Sequence, residues 1–76
     1  MDQATIDLLA ARDAALATTQ LYIELHRDEK YVALANTTLT ETQVHELIGY
    51  RMRLHHLEKE AGFPNIELPK PPRFMA

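Results

Sequence analysis

The sequence predicts an all-α fold: a helical hairpin with a short middle helix or turn, an extended Pro-rich C-terminal tail, and an oligomeric state. Three observations predict it. There is no Gly or Pro before Gly49, and all four Pro fall after residue 63, so the chain breakers are confined to the C-terminal part. Two long segments repeat apolar residues at intervals of three and four, the spacing of one helix face. No pair of segments reads as two partnered strands. With 76 residues, 46% hydrophobic and 25% charged, the chain is expected to form one domain. The helical body spans 1–63 and the tail 64–76, in a size range where small proteins gain buried surface by self-association.

Helix 1 is expected over about 5–27, where Ala, Leu, Asp and Glu dominate. At 100° per residue, Leu9, Leu16 and Ile23 form one seam, and Ile6, Ala10, Ala14, Ala17, Leu21 and Leu25 continue the apolar arc around the next side. Leu8, Ala11, Ala15 and Tyr22 occupy the opposite face. A helix this apolar needs neighbours in more than one direction, which one hairpin partner does not supply. Residues 28–38 read as a linker or short helix, with Tyr31, Leu34 and Ala35 at helical spacing and Asn36-Thr37-Thr38 as the break. Thr38 with Glu41 matches a capping box for helix 2. Helix 2 is expected over about 39–61, with Val44, Leu47, Ile48, Tyr50, Leu54, Leu57 and Ala61 on one face and Gly62 as its stop. In the tail, Ile66, Leu68 and Phe74 are available for packing on the body or on a partner, in an extended or polyproline-like path.

Net charge −3 and a pI near 5.7 argue against a protein that coats duplex nucleic acid, which needs many cations for phosphates. The absence of Cys removes disulfides and thiolate zinc ligands, compatible with a cytoplasmic location. The N-terminal segment carries Asp2, Arg12 and Asp13 among its apolar residues, so it is read as neither signal peptide nor membrane span.

The stretch QVHELIGYRMRLHH, residues 43–56, opens like a zinc-protease helix. That motif needs a second His four residues after the first, and position 49 is Gly. His45 and His56 share a face but lie roughly 16 Å apart along the axis, and His55 and His56 point about 100° apart. Glu41 and His45, one turn apart, read as a surface ion pair. No metal and no cofactor are expected. The chain also lacks Ser and any phosphate-loop or nucleophile-elbow pattern, so the expectation is a protein that binds without catalysis.

Positive groups concentrate in helix 2: Arg51, Arg53 and Lys59, with His45, His55 and His56 among them. Arg suits bidentate recognition of phosphate, and Tyr31 or Tyr50 suits stacking on a base. Ordinary surface charge pairing is the competing reading for each residue.

The stretch Asp28-Glu29-Lys30-Tyr31-Val32-Ala33-Leu34-Ala35-Asn36-Thr37-Thr38-Leu39 resembles the signature of a phage family of helical hairpins, the anti-CBASS and anti-Thoeris sponges. In that signature Asp is followed, one residue on, by Arg and Trp, then an aliphatic residue and Ile, and shortly afterwards by Thr and Leu. Asp28, Lys30, Tyr31, Leu34, Thr37 and Leu39 fall on those places, with Lys for Arg and Tyr for Trp, and without the Gln and Gly that follow. Ile6-Asp7-Leu8-Leu9 is similar to the opening of the family's first long helix. The resemblance implies a multimer that sequesters a cyclic or nucleotide-derived signal in the host cytoplasm without hydrolysing it. Phosphates would be met by Lys30, Arg51 or Arg53, and a base by Tyr31. The expected ligand-binding set is therefore Lys30, Tyr31, Arg51, Arg53 and His55. The expected partners are further copies of the chain and a small nucleotide ligand, with no membrane and no duplex nucleic acid. The alternative is a protein-interaction module. The layout is similar to small phage head-to-tail joining proteins, and Pro69-Lys70-Pro71-Pro72 fits the PxxP form that docks on a host protein.

Overall fold

The computed structural model describes residues 2–33 and 36–75. Leu34 and Ala35, which carry part of the middle-helix reading and of the sponge-like stretch, lie outside the described residues. Helix α1 spans Gln3–Tyr31 and α2 spans Glu41–His55, and the described residues contain no strand. A 3-10 turn follows at Leu57–Lys59 and another at Arg73–Met75. The molecule measures 48 × 20 × 17 Å, a length set by α1, since 29 helical residues span about 44 Å.

α1 is longer at both ends than the sequence suggests. Asp2 caps it by accepting a 2.8 Å hydrogen bond from the Thr5 N–H. At the other end no breaker stands between Arg27 and Tyr31, so the helix continues to the C-cap Val32 and stops where Ala33 turns left-handed at φ 55°. Glycine is the usual occupant of that position, and an L-residue there carries a strain of about 1 kcal/mol.

The connection to α2 corrects the expected cap. Thr38 does not cap α2; its N–H and hydroxyl donate to the two oxygens of Glu29 on α1, at 3.0 and 2.8 Å. The cap is Thr40, whose hydroxyl accepts from the Gln43 N–H at 3.1 Å while the Gln43 side chain accepts from the Thr40 N–H at 2.9 Å. The capping box thus uses the neighbouring Thr and an amide in place of a carboxylate. Lys30 and Glu41 close the same end with a 3.1 Å ion pair.

α2 places Val44, Leu47, Tyr50 and Leu54 inward, and Leu47 and Leu54 are fully buried. Helix 2 does not run to Ala61. It ends at His55, a 3-10 turn drops Leu57 into the core, and Glu60 leaves the helical region at ψ 142°. Gly62, at φ 88°, closes the turn that reverses the chain rather than stopping α2. The C-terminal segment then returns along α2, and Phe74 meets Tyr22 edge-on with ring centroids 5.9 Å apart. Phe74 and Met75 join Tyr22 and Ile23 around Leu39, Val44 and Leu47. The core is therefore three-sided, built from α1, α2 and the end of the tail. Ile48 and Ala61, expected on the apolar face of α2, are exposed.

Two outcomes follow for stability. Thr40→Ala removes the α2 cap and is expected to cost about 1 kcal/mol in urea denaturation. Glu29 is held below its ordinary pKa by the Thr38 N–H and then the Thr38 hydroxyl, and Glu41 by the hydrogen bond and charge of Lys30. A carboxylate with a lowered folded pKa contributes stability above its unfolded value and loses it as the pH falls through the folded one. Stability should therefore decline on acidification below the ordinary carboxylate range, and Glu29→Gln should flatten that decline in denaturation series across pH.

Candidate functional site: a groove between α2 and the tail

Arg51 and Arg53 sit two residues apart on α2, so their side chains leave the helix about 200° apart. Arg51 points into the hairpin seam. It donates to the Thr19 hydroxyl at 2.6 Å, to the Leu16 carbonyl at 3.3 Å and to the Gln20 side chain at 3.0 Å. Thr19 is fully buried and its own hydroxyl proton goes to the Leu16 carbonyl at 2.7 Å. Arg51 is thus engaged with α1 through three neutral acceptors. Arg53 faces the returning tail.

The expected ligand set does not converge within one chain. Lys30 is paired with Glu41 at the connection end, and Tyr31 stands beside it, 90% exposed. Arg51 lies ten residues along α2 from Glu41, roughly 15 Å, and Arg53 roughly 18 Å. His55 is exposed at the C-terminal end of α2. The structure brings together a different set around Arg53. His45, Gly49 and Arg53 recur every four residues and form one stripe of α2. Opposite them the tail sets Lys70 and Arg73, and together they line a hollow of about 390 Å³ whose one acidic wall residue is Glu46. A second hollow of about 470 Å³ shares Arg53 and Lys70 and has Leu57, Ile66 and Pro69 as its apolar lining, with Glu60 and Glu67 at its margin. Both volumes fall in the range of small-molecule sites.

Gly49 marks the groove. A glycine inside a helix costs about 1 kcal/mol relative to alanine, and its usual justification is close packing. Here a Cβ would meet only the Arg53 guanidinium, at an ordinary 3.7 Å. The fold does not require Gly at this position. What its missing side chain provides is an open floor between His45 and Arg53. Among the described residues, His45, Arg53, Lys70 and Arg73 take part in no salt bridge, whereas Arg12, Arg27 and Lys30 each have a carboxylate within 4.0 Å.

No family model, curated protein or solved structure matches the chain. The site therefore rests on its own geometry. No three His, Asp or Glu side chains gather in a metal-holding arrangement among the described residues, and none of the described helices is long and apolar enough to cross a membrane. Sequence reasoning found Arg53 but missed Lys70, Arg73 and Gly49. The available signal was the His45-Gly49-Arg53 stripe, with its smallest residue in the middle.

Arg51→Ala is expected to destabilise the hairpin by about 1–3 kcal/mol, the range for hydrogen bonds made by a charged group. Arg51→Lys should recover only part of that loss, because an ammonium does not reproduce the planar fork that reaches Thr19 and Gln20 together. Chemical denaturation of the two variants checks both.

Proposed function

We propose that the chain is a non-enzymatic binding protein that holds a phosphorylated small molecule of the nucleotide class in the groove between α2 and the tail. The observation that carries this reading is the convergence of Arg53, Lys70, Arg73 and His45 over Gly49, none of which takes part in a salt bridge among the described residues. Cations placed around a concave surface suit a multiply charged anion, and Arg adds bidentate geometry for phosphate oxygens. The adjoining Ile66 and Pro69 surface suits a flat base, and Glu60 and Glu67 suit its exocyclic amino group. The groove is two-part, as the ligand would be.

Binding without turnover is part of the reading, since the chain contains neither Ser nor Cys. The resemblance of residues 28–39 to the sponge signature implies the same ligand class and assigns phosphate to Lys30, Arg51 or Arg53 and a base to Tyr31; the groove keeps Arg53 of that set and adds Lys70, Arg73 and His45.

Cyclic dinucleotides, cyclic trinucleotides and linear nucleotides are the probes, read first by thermal shift and then by calorimetry. One class should stabilise the protein and be recovered unchanged after heating. Arg53→Ala with Lys70→Ala should weaken binding at least tenfold, about 1.4 kcal/mol, while Lys30→Ala and Tyr31→Ala leave it intact. Gly49→Leu should raise helix stability yet block binding by filling the floor. A protein that no nucleotide stabilises, or a doubly substituted variant that binds normally, would refute the groove.

A further inference from the structure

On its inner side α1 partly buries Leu9, Leu16, Tyr22 and Ile23, and it leaves a second apolar face uncovered. Its buried residues are Thr5 and Thr19, while Ile6, Leu21 and Leu25 stand 45%, 68% and 44% exposed with Ala10, Ala14 and Ala17 exposed among them. These six apolar residues fall within one arc of about 100°, centred opposite Thr19. Neither α2 nor the tail covers that arc; Tyr22, which Phe74 meets, lies outside it.

The spacing of the arc is symmetric about the midpoint between Ala15 and Leu16. Ile6 and Leu25 are equally far from that point, as are Ala10 and Leu21, and Ala14 and Ala17. A two-fold interface requires such self-complementarity, because the same patch is used by both copies. Two α1 helices crossing antiparallel on this dyad set the large Leu21 over the small Ala10, while Ile6 and Leu25 of one copy close opposite edges of the arc, beside Glu24 and Asp7 of the other. Ala14 meets Ala17 at the centre, where small side chains let the backbones approach. Asp7, Glu24 and Asp28 lie within the same arc, Asp7 and Glu24 at its rims. Asp7 and Glu24 share a level but lie on opposite edges of the arc, and a dyad of this kind brings like edges together. At each end Gln3 of one copy meets Asp28 of the other, an amide beside a carboxylate.

The elongated chain also exposes more surface than its mass requires. The chain exposes 5446 Å², whereas a compact monomer of 8.7 kDa is expected to expose about 4,700 Å². The surplus of roughly 700 Å² approaches the ~800 Å² that each partner buries in a standard interface. We infer that the outer face of α1 is a self-association surface on which a second copy of this chain docks antiparallel, with the dyad between Ala15 and Leu16. The interface is independent of the groove on α2.

Sedimentation of the full chain should show a dimer, and Leu21→Asp should raise its dissociation constant at least 100-fold with an unchanged helical circular dichroism spectrum. Leu21 contributes little to the monomer core, so this variant should fold. The register is tested separately, because the chain has no cysteine and a single introduced thiol is unambiguous. Under mild oxidation, a mixture of Ala10→Cys and Leu21→Cys chains should form the mixed disulfide much faster than either chain links to itself. A monomer at all concentrations, a dimer unaffected by Leu21→Asp, or chains that link only to their own kind would each overturn the proposal.

Discussion

The contact between Arg51 and Thr19 fixes the register of this hairpin. Val44, Leu47 and Leu54 occupy the inward face of α2 at three- and four-residue steps, and Arg51 stands in the same series. An apolar residue there would tolerate sliding, whereas a guanidinium with acceptors at Thr19, Leu16 and Gln20 has one alignment that satisfies it. Everything distal depends on that alignment. It sets Lys30 beside Glu41 at one end and Arg12 beside Glu58, at 3.4 Å, at the other. It also turns Arg53 outward, onto the path of the tail.

Much of the architecture was legible because it follows local rules. The uninterrupted run before Gly49 and the apolar series on α2 were enough to predict two helices and most of the core. The boundaries were harder for a specific reason. Thr38-Glu41 and Thr40-Gln43 both match the capping-box sequence pattern two residues apart, and only Glu29, nine residues before Thr38, decides between them by taking up Thr38. Likewise the periodicity of α2 places Arg51 on the inward face and Arg53 off it, but the acceptors Thr19 and Gln20 that engage Arg51 lie more than thirty residues away. Lys70 and Arg73 enter the groove through a chain reversal at residues 60–66, which sequence periodicity does not encode.

The two surfaces left open by the core differ in character. The groove is concave, carries several cations and is built from residues distant in sequence, so it suits a small charged ligand. The outer face of α1 is apolar, gently convex and built from one continuous helix, so it suits another helix. The two lie on different helices, so occupancy of one leaves the other accessible.

The tail has a double role: Phe74 and Met75 complete the core, and Lys70 and Arg73, a few residues earlier, complete the groove wall. The wall is therefore anchored by the same residues that close the hydrophobic cluster. Any ligand held against Lys70 and Arg73 also holds the aromatic anchor in place, and any fraying of the anchor dismantles the site. Occupancy and closure of the C-terminal segment are thermodynamically linked: the free energy of binding reappears as resistance of that segment to peeling away.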